Sequence, residues 1–471
     1  MNANSKILDK SIIKKPSLIP EQKNAWILIF CLVFFVTVCI VFKISSILQI
    51  LFPLSTFLVG IFLYQKHNTL YLGFTWWIWF LSPFIARIVE YQNGWANPSM
   101  RLIILSPYLV TGITGISFFR HIPKTYRKDG LPFILAFIGV IYAFFIGLIQ
   151  KSSSLVVIEG FLSWMPAIFF GFHIIVNWRD YPEYKQMIQC TFCWGIFLMG
   201  IYGLIQYFNL PPWDKFWLDN AQEVRGSIGW NEIRIWSTLN LPIAFTNAIV
   251  AGLLLLISND KNKFSIPVSA IGFLCLLLAR VRSSWMGFVV GLLTTVSFLK
   301  YRVQIKLLTT ILILSLCIPP LVLIEPFYER IVPRLQTITN LQEDSSVNER
   351  LRRYSENGDS VLTNFLGSGL GTKQVDTGVL AVIDTLGWLG TIPYMGGLLI
   401  LLLNSFRFVE ATFDPFISAS RAISLSVLTM TLGNNMMIRF YGVILWGFLA
   451  ITFASHKYYQ HQKYKIAELS S

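Results

Sequence analysis

Apolar runs of about 18 to 22 residues, each close to the length that crosses a bilayer as a helix, recur from Ala25 nearly to the C-terminus. Inside hydrocarbon every backbone N–H and C=O must be satisfied within the protein, and helices do this segment by segment. The composition points the same way. Hydrophobic residues make up 54% of the 471 positions and charged residues 13%, against roughly 25% charged in a soluble domain. The expected fold is all-α: a polytopic membrane helix bundle. Its spans lie near 25–42, 44–64, 69–89, 100–119, 131–149, 153–177, 188–208, 236–258, 264–279, 283–299, 305–324, 377–403, 419–436 and 440–455. That is fourteen transmembrane helices, or twelve if the close pairs at 25–64 and 419–455 are re-entrant. The first run is too long and too weakly terminated for a cleaved signal peptide. The transmembrane domain is thus expected over 25–455, between cytoplasmic tails at 1–24 and 456–471.

A net charge of +14 in a soluble protein would suggest nucleic acid. Here the positive-inside rule accounts for it, and no nucleic-acid partner is expected. With the N-terminus inside, alternation puts "RHIPKTYRKDG" (120–130), "SNDKNK" (258–263), "KYRVQIK" (300–306) and "HKYYQHQKYK" (456–465) on the cytoplasmic side. Both termini are then cytoplasmic, in a multi-pass protein of the cytoplasmic membrane. Three polar features fall together on the opposite, extracytoplasmic side. They are the loop 209–235 with Trp213, Trp217 and Trp230, the junction carrying Arg280 and Arg282, and the long loop 325–376. The tryptophans are either interfacial anchors or a stacking platform for sugar rings. The long loop opens on "EPFYERIVPRL" and is expected to carry one or two short helices along the membrane.

Arginine cannot shed its charge and grips phosphate in a planar, bidentate way. Arg282 sits where two apolar runs meet, with only Arg280 as a charged neighbour. Two like charges that close make an external anion the natural partner. Arg225 and Arg234 lie in the loop before the 236–258 run, so Arg234, Arg282, Arg280 and Arg225 form the candidate anion-binding set. The cluster Arg350, Arg352 and Arg353 has a simpler alternative in pairs with Glu349 and Glu356.

Candidate acid–base groups are carboxylates. Glu232 stands two residues before Arg234, Asp376 opens the run at 377–403, and Asp384 lies within it as "AVIDTLGWLG". Glu159, inside the outer end of its span, is a further candidate, or else pairs with Arg101 or Arg87. His67, His121, His456 and His461 are cytoplasmic and His173 lies near an inner end, so no outer-face histidine can serve as base. With no outer histidine or cysteine, neither a metal nor another cofactor is expected. Cys190 and Cys193 form a C-x-x-C without a second ligand pair and read as small helix fillers. "LGSGLGTK" (366–373) lacks the strand and the G-K-[ST] of a nucleotide loop. Gly367, Gly369 and Gly371 instead suit tight turning or close approach, and backbone amides there could help hold an anion.

Taken in order, "RIWSTLNLPIAFTNAIVAGLLLL" (234–256), "RVRSSWMGFVVGLL" (280–293), "NERLRRYSENGDSVLTNFLGSGLGT" (348–372) and "DTGVLAVIDTLGWLGTIPYMGGLLILLL" (376–403) resemble the O-antigen ligase/polymerase family of bacterial membrane glycosyltransferases. The resemblance covers about residues 230–405. It implies a metal-independent enzyme of the outer face of the cytoplasmic membrane, acting in surface polysaccharide, exopolysaccharide or O-antigen biosynthesis. The donor would be an undecaprenyl-diphosphate-linked glycan and the acceptor a glycan or lipid-linked sugar, with membrane lipids and other polysaccharide-assembly proteins as partners. Arg234 and Arg282 match the family's motif arginines. Asp376 stands where ligases carry a histidine, followed by Leu380, Asp384 and Gly387. That departure favours a polymerase over a ligase and leaves the general base open between Asp376 and Glu232. The competing expectation is a secondary transporter of a small anion such as bicarbonate, which should show related halves and broken helices.

Overall fold

A computed structural model describes residues 20–95, 100–125, 129–150, 153–221, 234–257, 264–298, 304–305, 345–372, 378–408 and 414–470. These residues are 86% helical, with no strand among them. The helices are α1 (Pro20–Val41), α2 (Leu48–Lys66), α3 (Asn68–Asn93), α4 (Met100–Gly112), α5 (Gly115–Thr125), α6 (Leu131–Ile149), α7 (Ser154–Val176) and α8 (Tyr181–Phe208). They continue with α9 (Pro212–Asn220), α10 (Pro242–Ile257), α11 (Ser265–Leu278), α12 (Arg282–Phe298), α13 (Ser345–Thr363), α14 (Gly378–Arg407), α15 (Pro415–Met430) and α16 (Arg439–Ser470). Among the described residues, eight helical segments are long and apolar enough to cross a bilayer, so the chain is an all-α, multi-pass membrane protein.

Every expected span that falls inside the described residues carries a helix; the one at 305–324 lies outside them. Several bounds differ from the hydropathy reading, each for a local reason. The run at 100–119 is two helices, because the chain turns at Gly112–Thr114 and restarts at Gly115. The run at 236–258 starts six residues late, at Pro242, whose fixed φ suits a first helical turn. The run at 419–436 ends at Met430, where turn-forming Gly433, Asn434 and Asn435 follow. At the other extreme, α16 runs through 456–470, where a tail was expected. Within the loop expected over 325–376, α13 is the described helix. Val361 and Tyr354 of α13 pack against Leu380, Ile383 and Trp388 of α14.

Lipid offers no hydrophobic drive between helices, so close contact between small residues dominates their packing. Gly139 of α6 faces the backbone of Gly390 in α14, and Gly397 of α14 faces Pro132 in α6; a methyl at any of these would overlap main chain. Gly171 of α7 and Gly442 and Gly447 of α16 make a second such crossing. Between these crossings Trp76 and Phe80 of α3, Phe192 of α8 and Phe440 and Phe448 of α16 form an edge-to-face aromatic centre, with most of their ring centroids 5–6.5 Å apart.

The two ends of the bundle differ. At one end Lys185, Tyr181 and Tyr459 all bond to Asp414, which also caps α15 through Phe416 N–H, and Lys457 pairs with Asp129. At this basic end His173 is buried between Ser117 and Asn68. The opposite end, called the site end below, carries Arg234, Arg280, Arg282, α9, α13 and the glycine loop.

Candidate functional site at one end of the bundle

The α11–α12 junction is a single sharp reversal. Arg280 adopts the left-handed conformation at φ 57°, which costs a side-chain-bearing residue about 1–2 kcal/mol. Its N–H closes on Leu277 O at 3.1 Å, and Arg282 is the first residue of α12. Both arginines are half-buried. Two arginines thus stand at a helix N-terminus, which carries its own partial positive charge, and the N–H groups of Ser284 and Trp285 there both turn to Val281 O. The start of α12 is tied to α10 by Ser284 and Thr246, whose hydroxyls lie 2.6 Å apart.

Arg234 is exposed and opens a non-helical segment, 234–241. That segment is held by a group the sequence reading did not assign to the site. Arg87, fully buried in α3, donates to Leu239 O (3.0 Å), Asn240 Oδ1 (3.0 Å) and Ser237 O (2.6 Å). Its Nε sits 2.9 Å from Asp214 Oδ1 of α9, an ionic contact off the hydrogen-bond axis. Asp214 also accepts from Tyr202 (2.6 Å) and Gln206 (2.7 Å) of α8. The Gln206 Oε1 takes the N–H groups of Trp236 and Ser237, fixing Ser237 at φ 52°. Arginine inside an apolar span was the signal available in the sequence. The alternative that Arg87 pairs with Glu159 is overturned, since Asp214 occupies it.

The kink in α14 explains the glycine-rich stretch. Gly387 has φ 60° and ψ 175°, which breaks the helix three residues after Asp384. In an unbroken helix Trp388 N–H would bond to Asp384 O. Instead Trp388 N–H donates to Phe365 O (3.0 Å), while Ser368 N–H and Oγ donate to Asp384 O (2.6 and 3.0 Å). The 364–372 loop therefore completes the broken helix. Gly367, Gly369 and Gly371 have φ of 76°, 75° and 90°, and their α-carbons press on the backbones of Gly387, Gly147 and Val157. What comes close to these glycines is protein main chain. The amides of residues 367, 368 and 370 are spent on Asn364, Asp384 and Ala143, so they are not donors to an anion.

Asp384 is half-buried in the first half of α14. Between it and the arginine junction lies the 431–438 turn. Gly378 at the start of α14 abuts Thr431, Met430 Sδ lies 3.9 Å from Ser284 Oγ, and Asn247 of α10 reaches Met436. Arg234, Arg280, Arg282 and Asp384 thus share one end of the bundle, on elements joined through this turn. Hydropathy hid the turn under a span. Arg225, Glu232 and Asp376 lie outside the described residues. Trp230 does too; Trp217 is buried against Trp236 and offers no open face for a sugar, and Trp213 donates to Tyr202. Arg352 pairs with Glu356 at 3.2 Å. No group of metal-ligating side chains occurs among the described residues.

No model of a known protein family matches the chain, and neither does any curated protein.

Proposed function

We propose that the chain is a membrane glycosyltransferase that polymerises or transfers undecaprenyl-diphosphate-linked oligosaccharides at the outer face of the bacterial cytoplasmic membrane, with polymerisation favoured over ligation. The observation that carries this reading is the pair Arg280 and Arg282 at the N-terminus of α12, at the same end of the bundle as the segment beginning at Arg234, which Arg87 ties down through Ser237 and Leu239. The positive-inside rule supports an extracytoplasmic site end, because the opposite end carries Lys185, Arg407 and Lys457. A lipid diphosphate has the charge and the membrane-surface position that such a field would meet.

In the reaction, the acceptor hydroxyl oxygen attacks the anomeric carbon as the bond to the diphosphate oxygen breaks. The electron pair leaves with the lipid diphosphate, and fixed guanidinium groups stabilise the growing negative charge. The hydroxyl proton passes to a carboxylate, Asp376 or Glu232, with Asp384 as the third candidate. Proton transfer of this kind contributes about 10² to 10⁴ in rate. Attack opposite the leaving group inverts the anomeric centre.

The second reading, transport of a small anion such as bicarbonate, draws support from the helix breaks at Gly387 and at Gly112–Gly115. One experiment separates the two. The purified chain in proteoliposomes is given a lipid-diphosphate oligosaccharide, and products are resolved by gel electrophoresis and mass spectrometry. Longer lipid-linked chains support polymerisation, and transfer to a distinct acceptor supports ligation. No glycan transfer together with saturable anion uptake would replace the proposal with transport.

A further inference from the structure

At the site end, α4, α7 and α16 line a partly open cavity of about 210 Å³. Two opposite charges line it: Glu159 of α7 and Arg439, the first residue of α16. Arg439 is held at φ 56°. Among the described residues neither Glu159 nor Arg439 is in an ion pair. The remaining walls are Ile104, Leu105, Tyr108, Leu162 and Ser163. Beside the opening, α7 turns Leu155 and Ile158 outward, 64% and 50% exposed, as a lipid-facing surface does.

Glu159 and Arg439 are both exposed at the rim of this cavity, within reach of the charged groups of a lipid headgroup. A small anion would satisfy Arg439 and leave Glu159; a cation would do the reverse. A ligand carrying both charges a few bonds apart satisfies both, and the apolar surround selects one that brings acyl chains. We propose that this cavity binds the headgroup of a zwitterionic phospholipid with a primary amine, the phosphate on Arg439 and the ammonium on Glu159. Arginine grips phosphate oxygens in a bidentate way, and the ammonium N–H groups donate to the carboxylate. This site is independent of the glycan-transfer reading and stands or falls separately.

The test is native mass spectrometry of the full chain in detergent with added phosphatidylethanolamine, phosphatidylcholine or phosphatidylglycerol of matched chains. Phosphatidylethanolamine is expected to be retained about tenfold better than the other two, the difference one charge-assisted hydrogen bond makes. Glu159→Gln should abolish its advantage over phosphatidylglycerol, while Arg439→Gln should weaken both lipids. Because the lipid comparison on the unaltered protein needs no variant, a misfolded mutant cannot hide the answer. Equal retention of the three lipids overturns the proposal, as does an unchanged preference in Glu159→Gln. Binding of soluble O-phosphoethanolamine to delipidated protein as tightly as the lipid overturns the lipid assignment.

Discussion

Arg87 Nε and Asp214 Oδ1 sit 2.9 Å apart with both side chains fully buried, and the rest of the guanidinium is spent on the carbonyls of Ser237 and Leu239. A pair of this kind contributes little net stability when intact, because desolvation offsets attraction. Its value is positional: it joins α3, α9 and the segment that begins at Arg234.

Asp214→Asn keeps the shape and removes the charge, leaving Arg87 buried without its counter-ion. A loss of about 3–5 kcal/mol is expected, read as a lower unfolding midpoint in detergent. Lys215→Asn, one position along on the exposed side of α9, should leave the midpoint nearly unchanged. Equal effects from the two substitutions would mean that the ion pair does not organise this end.

Gly387→Ala is expected to destabilise strongly. A side chain at φ 60° is strained by about 1–3 kcal/mol, and its methyl would overlap the backbone of Leu366 and Gly367. Gly396→Ala, nine residues along the same helix with nothing within 4 Å of the added carbon, provides the control. It should match or slightly exceed the native protein, since alanine favours helix over glycine by about 1 kcal/mol. Thermal unfolding of the two variants side by side decides the matter. A tolerant Gly387→Ala would show that the 364–372 loop does not depend on the break in α14.

Helix positions were legible in the sequence because apolar run length alone sets them. The interruptions were not. Residues 431–438, "TLGNNMMI", average out as apolar beside their neighbours, so a hydropathy window absorbs them into a span. The glycines at 367, 369 and 371 were legible as positions of close approach. That the approaching group is the backbone of α6 and α7 depends on contacts more than two hundred residues apart, such as Leu370 N–H to Ala143 O, and the approach of α14 depends on the kink at Gly387. Arg87 was legible as a charge needing a partner, but its choice of Asp214 over Glu159 follows from the packing of α9 on α3. The α11–α12 reversal is legible in the sequence as a charged interruption, Arg280 and Arg282, between two apolar runs.

Arg282→Lys tests whether charge alone suffices at the start of α12. Lysine keeps the positive charge but loses the planar fork that spans two phosphate oxygens. Chain elongation is expected to fall by about 10- to 100-fold, in line with one lost charge-assisted contact of about 1.5–3 kcal/mol, with protein abundance near normal on immunoblots. Normal long-chain product from this variant would remove the α11–α12 junction from the reaction.

The carboxylates call for a comparison. Asp384 sits half-buried in helix α14, three residues before the kink at Gly387. Asp376 stands two residues before Gly378 in the sequence and is one of the two first candidates for the base of the proposed reaction. If Asp376 accepts the acceptor's proton, Asp376→Asn lowers kcat by about 10² to 10⁴ while the donor KM changes little. Asp384→Asn is expected to shift stability and KM together instead. A readout of glycan product against donor concentration, run on both variants with unfolding midpoints, separates these outcomes. Parallel loss of kcat and KM in Asp376→Asn would assign that residue to binding and leave Glu232 as the remaining base.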